Sequence, residues 1–188
     1  MIDTAPQLLA SLLFSLLLLM AALHKFSKPL QFRGILAAYR LLPAALIPIA
    51  AFMIPLLELS LALSWLLPGT LPLAAIGTAL LLGAYGSAMA INIWRGNTAI
   101  DCGCNLAGSK DESRHYLSLG LVLRNGLLAA IAALAVVPAN GRALGVLDYV
   151  SVALACLVIA LLYAAANQLI ANRHWIKLGN PTAGGEHA

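Results

Sequence analysis

Five long apolar runs, at roughly residues 7–23, 42–67, 71–94, 117–137 and 147–171, decide most of what this chain can become. Each is near the length a helix needs to cross a hydrocarbon core of about 30 Å. Only 10% of the residues are charged, where a soluble chain carries roughly 25%. The expectation is an all-α fold: a polytopic membrane helical bundle of about five spans. Residues 1–178 form one domain, and the tail 179–188 has the composition of a flexible segment. No Lys or Arg precedes Leu8, so the first run lacks the basic start of a cleaved leader and reads as a retained helix.

Segment 24–40 is too polar to span, yet Phe26, Leu30, Phe32, Ile35, Leu36 and Tyr39 give it apolar anchors. That pattern predicts a short amphipathic half-helix in the headgroup region. Pro43, Pro48 and Pro55 predict a bend in the second span. Trp65, Trp94, Tyr116, Tyr149 and Trp175 stand at run ends, where interfacial aromatic belts form. On the third span Ala79, Gly83 and Ser87 recur every four residues, as do Gly86 and Ala90, a spacing that lets helix backbones approach closely. The net charge of +4 comes from Lys and Arg at the ends of these runs. It points to the lipid bilayer as partner and not to nucleic acid, for which no basic block or zinc-finger spacing is present.

Covalent chemistry is concentrated at Cys102-Gly103-Cys104, in the polar stretch between the third and fourth runs. A thiolate attacks a disulfide and a second thiol resolves the mixed intermediate, so two neighbouring cysteines are the minimum relay. Bridging residues i and i+2 closes a strained ring, which makes a disulfide easier to reduce and hence more oxidising. Gly103 relieves part of that strain because it reaches backbone angles closed to other residues. Lys110 and Arg114 favour the reactive thiolate and Asp101 opposes it. A closed zinc site needs four ligands; beyond this pair only Cys156, His24 and His115 are candidates, so no metal is assigned. Cys156 lies mid-span among Ala155, Leu157 and Val158 and reads as a small apolar side chain.

Polar groups inside a membrane are costly and are functional candidates by default. Glu58 lies deep in the second span, and Arg124-Asn125 about two turns into the fourth. Their depths differ by on the order of 10 Å, which two long side chains partly close, so an ion pair between Glu58 and Arg124 is expected. A tuning role toward a thiol or a quinone is the functional alternative. Arg95, just before the cysteines, reads as an interfacial anchor.

An ordered set of marks runs along the chain. They are Lys25, Tyr39-Arg40-Leu41-Leu42-Pro43, Pro55-Leu56-Leu57-Glu58, Arg95-Gly96, Asp101-Cys102-Gly103-Cys104, Leu123-Arg124-Asn125 and Leu162-Tyr163-Ala164-Ala165-Ala166-Asn167. In this set the chain resembles the MauE family of methylamine utilisation membrane proteins, within the wider DoxX-like group. The resemblance implies thiol–disulfide redox work, a disulfide oxidoreductase role in maturation of the methylamine dehydrogenase small (β) subunit. It also implies a thioredoxin-like partner of the MauD type and a place in the bacterial inner membrane. The family is similar to the vitamin K epoxide reductase group, which implies a four-helix core with redox cysteines before the fourth helix. This chain has Cys-x-Cys instead of Cys-x-x-Cys and no second shuttle pair, which leaves quinone as a cofactor open. The same lack motivates a second reading, a scaffold that recruits the maturation machinery without chemistry of its own. A transporter finds no internal repeat or broken-helix pair to support it.

Alternation of five spans puts nine basic residues (Lys25, Lys28, Arg33, Arg40, Arg95, Lys110, Arg114, Arg173 and Lys177) on the side of the cysteines, against Arg142 alone on the other. The positive-inside rule then places the cysteines in the cytoplasm, whereas persistent disulfides belong to the periplasm. The client and partner implied by the resemblance are periplasmic, and the expectation adopted is a periplasmic face.

Overall fold

The computed structural model describes residues 3–67, 69–98, 117–137 and 140–178. Among these every regular element is helical: α1 (Thr4–Ser27), α2 (Pro29–Tyr39), a 3-10 turn (Ala44–Leu46), α3 (Ile47–Ser64), α4 (Leu71–Trp94), α5 (Leu119–Leu134) and α6 (Val146–Leu178). Four are long and apolar enough to cross a membrane, namely α1, Ala44–Ser64, α4 and the first part of α6, Val146–Ala166. The chain is a multi-pass helical membrane protein. The fourth run yields the shorter α5, whose 16 residues extend about 24 Å at 1.5 Å per residue.

Contacts at the two ends of the bundle fix the direction of each helix. At one end Gln7 of α1 reaches the Val137 carbonyl beyond α5, Thr4 reaches Asn140, and Arg142 bridges Asp3 and Asp148. The side-chain hydrogen bond that Arg142 donates to Asp148 and the charges of both carboxylates hold its guanidinium above its ordinary value. Asp148 also accepts the Gly145 amide (2.9 Å), capping the start of α6. At the other end the Leu117 amide donates to the Thr98 carbonyl (2.9 Å), so the end of α4 meets the start of α5. Despite its length α5 therefore runs from one end to the other, and the five helices alternate.

Apolar stripes at helical spacing do the packing. Phe14, Leu18, Leu61, Ala62, Trp65, Ala75 and Leu82 belong to one core at the Arg142 end. A second, smaller core of Tyr39, Met89, Leu117 and Leu121 sits at the other. Trp65 is not an interfacial residue as its place at a run end suggested. It is 2% exposed, stacks on Phe14 with ring centroids 5.0 Å apart, and donates its indole N–H to Thr78 Oγ1 (2.9 Å). Trp94, 90% exposed, and the exposed Tyr149 do have the exposure a belt requires.

The half-helix expected over 24–40 is present as α2, although α1 runs on to Ser27 before Lys28 turns the chain. Phe32 and Tyr39 point inward, while Leu30, Gln31 and Arg33 are exposed. Pro48 falls in the first turn of α3, where its missing N–H costs no helical bond. Pro55 sits inside that helix and is buried.

The two small-residue rows on α4 differ in use. A Cβ on Gly86 would lie 3.6 Å from the Asn125 Cβ and 3.8 Å from the Val122 carbonyl oxygen, so α4 and α5 approach closely there. Nothing lies within 4 Å of a Cβ on Gly83, and Ser87 is exposed. Gly86→Leu is thus expected to destabilise the bundle by about 1–3 kcal/mol, as overpacking does, while Gly83→Leu stays near neutral. Thermal unfolding of the two variants in matched bilayers checks the contrast; equal losses would disprove it.

Candidate functional site

Lys25 continues the buried stripe of α1, Ser11, Phe14, Ser15, Leu18 and Ala22, in the last turn of the helix. Glu58 lies on the packed stripe of α3 with Ala51, Pro55, Leu61 and Ala62. Helical periodicity therefore turns both charged side chains toward the bundle interior. Lys25 is 4% exposed and Glu58 1%. Their ammonium and carboxylate meet directly, Nζ of Lys25 donating to Oε1 of Glu58. The Tyr85 hydroxyl of α4 donates to the same oxygen (2.7 Å) and accepts from Lys25 Nζ at 3.5 Å. The aromatic rings of Phe32 and Tyr85 lie 5.4 and 5.1 Å from Nζ, adding cation–π contact to the buried ammonium.

The expected partnership of Glu58 with Arg124 gives way to one with Lys25. Depth arithmetic identified two helices entering from one side but could not say which side chains face each other. Arg124 instead sets its guanidinium over the Tyr163 ring of α6 (5.8 Å). Asn125 is buried and donates to the Leu121 carbonyl (2.8 Å). Arg124 and Asn125 nevertheless share a cavity of about 40 Å³ with Lys25, Glu58, Tyr85 and Tyr163. Five helices converge there, between the two apolar cores. Glu58 is about 16 Å along α3 from Ile47, and Tyr85 about 14 Å along α4 from Trp94.

Such a pair is tolerated in an apolar interior only because hydrogen bonds accompany the charge attraction. It joins α1, α3 and α4 in one register. The cavity is far below the roughly 150 Å³ that admits a benzene-sized ring, so the quinone role left open above is not carried by it. Among the described residues no group of three His, Cys, Asp or Glu side chains gathers to hold a metal ion.

Cys102 and Cys104 lie outside the described residues, as do Asp101, Lys110, Arg114, His115 and Tyr116. The base of their segment is described. Besides the bond between Leu117 and Thr98, the Asn97 side chain donates to the Ala38 carbonyl of α2 (3.2 Å) and to the side-chain oxygen of buried Asn92 (3.2 Å). The described residues on either side of the cysteines thus meet beside the half-helix. Arg95 follows the last turn of α4 and is exposed, as an interfacial anchor would be. Cys156 on α6 is partly buried and has no disulfide partner among the described residues.

Sequence reasoning missed Lys25 and Tyr85 as members of this cluster. A signal was available: Lys25 follows Leu18 by seven residues, and Tyr85 follows Thr78 by seven, so each continues a buried stripe.

Residues 4–138 match the family model described as methylamine utilisation protein MauE. The methylamine utilization protein MauE of Methylophilus methylotrophus is 31% identical over 180 residues, 94% of this chain and 93% of that protein. Its namesake in Paracoccus versutus is 38% identical over 151 residues, covering 79% of this chain and 78% of that one. That of Methylorubrum extorquens is 40% identical over 117 residues, 62% of this chain and 61% of its own length. No solved structure matches.

Proposed function

The chain belongs to the MauE family of methylamine utilisation proteins, and we propose that it serves that system as an inner-membrane thiol–disulfide exchange protein. In this reading Cys102 and Cys104 exchange disulfides with a thioredoxin-like partner of the MauD type during maturation of the methylamine dehydrogenase β subunit. A thiolate of one protein attacks the disulfide of the other, a mixed disulfide forms, and the second thiol of the attacking pair resolves it. Two electrons and two protons pass from the dithiol to the disulfide. The observation that carries the reading is the vicinal pair itself, in a chain whose only other cysteine lies within a span. The joined base at Thr98 and Leu117 supports it, because the described residues flanking the pair on both sides meet at one end of the bundle beside α2.

The test is capture of the intermediate. Cys104→Ser is expected to accumulate a mixed disulfide through Cys102, or Cys102→Ser one through Cys104, visible as a reducible adduct on non-reducing gels. If neither variant forms an adduct and both mature the dehydrogenase normally, the exchange role is wrong.

Orientation follows from the same reading. Oxidant delivery requires the cysteines to face the periplasm, where protein disulfides persist. After mild reduction of intact cells, a membrane-impermeant thiol reagent is expected to label them in a Cys156→Ser background. Labelling that appears only after the inner membrane is permeabilised would reverse the orientation, in agreement with the basic residues, and end the simple oxidant model.

The lack of a second shuttle pair favours a scaffold as the alternative. Partner co-purification and maturation that both survive loss of Cys102 and Cys104 would select it.

A further inference from the structure

The two oxygens of Glu58 have unequal surroundings. Oε1 takes both the Lys25 ammonium and the Tyr85 hydroxyl. Oε2 is buried, and among the described residues no donor reaches it. A buried carboxylate oxygen without a donor incurs its full desolvation cost, and where protein donors are missing such atoms are satisfied by ordered water. Glu58 also lines the cavity of about 40 Å³, which exceeds the roughly 10–15 Å³ that one water needs.

The walls narrow the occupant further. It must donate a hydrogen bond to Oε2 and be no larger than a few heavy atoms. A small cation would sit beside Lys25 and Arg124, and a small anion would face the Glu58 carboxylate. A neutral donor of water's size meets every condition. We infer that this cavity is a buried hydration site, with water held against Oε2 of Glu58.

The charged and polar side chains that line the cavity with Glu58 are His24 and Lys25 from α1, Tyr85 from α4, Arg124 and Asn125 from α5 and Tyr163 from α6. The inference does not depend on the cysteine chemistry, and its test leaves Cys102 and Cys104 untouched.

The full chain in lipid nanodiscs is exposed to radiolytic hydroxyl radicals in oxygen-18 water, and each side chain is read by mass spectrometry. Cavity-lining Leu128 and Tyr85 are expected to take up the heavy isotope, whereas Leu127 and Leu157, exposed on the bundle's apolar surface, stay unlabelled. Glu58→Leu is expected to abolish the label at Leu128. Should that variant not fold, the contrast between Leu128 and Leu127 in the unmodified chain decides alone. Equal absence of label at both overturns the hydration site.

Discussion

Lys25→Met is expected to cost the folded bundle about 3–5 kcal/mol, the loss that follows when one member of a buried ion pair is removed. The substitution keeps the length and much of the volume of the lysine stem, so the loss traces to charge and not to a cavity. What remains is a carboxylate 1% exposed, with Tyr85 as its donor among the described residues and no cation bonded to it. Glu58→Leu alone leaves the converse, an ammonium facing the rings of Phe32 and Tyr85. The double variant Lys25→Met/Glu58→Leu removes both charges together and should regain most of the lost stability, since an apolar pair of similar volume commonly equals a buried ion pair. Reversible unfolding in bicelles of the four chains gives the coupling as the departure from additivity. If the two single losses simply add in the double variant, the pair is not a coupled unit.

Loss of maturation with the bundle intact is the second large effect expected. In the Cys102→Ser/Cys104→Ser chain, assembly of active methylamine dehydrogenase should fall to background, because a serine hydroxyl neither attacks a disulfide nor resolves one. The described cores use neither residue, and the bundle end is closed at Thr98 and Leu117. The amount of membrane-inserted protein and its unfolding temperature should therefore match the unsubstituted chain. Cys156→Ser, on α6, serves as the control and should mature the enzyme normally. Full activity in the double serine chain would remove the thiol role and leave the scaffold.

Run length was enough to find every long helix, because crossing an apolar core demands a continuous apolar stretch whatever its neighbours are. The half-helix was legible for a related reason: charges interleaved with Phe32 and Tyr39 suit neither a span nor a free loop. Rotation about each helix axis was the part that stayed hidden. Gly83 and Gly86 differ by three residues, yet one meets Asn125 and the other meets open space. Trp65 stands at the end of a run as an interfacial aromatic would, but its stripe faces Phe14 and Thr78. Glu58 was recognisable as a buried charged group from its depth alone. Its partner was not, since a lysine near a helix end reads equally well as an anchor to the headgroups. The exchange role proposed for Cys102 and Cys104 rests on their spacing, and their placement lies outside the described residues.

The ion pair also bears on how the bundle comes together. Lys25 and Glu58 are separated by 33 positions and stand on different helices, so α1 by itself carries no counter-ion for its lysine. In an isolated α1 the lysine, in the last turn of the helix, can stretch its stem toward the headgroups and remain hydrated. Its inward position belongs to the assembled bundle, where α3 supplies the carboxylate.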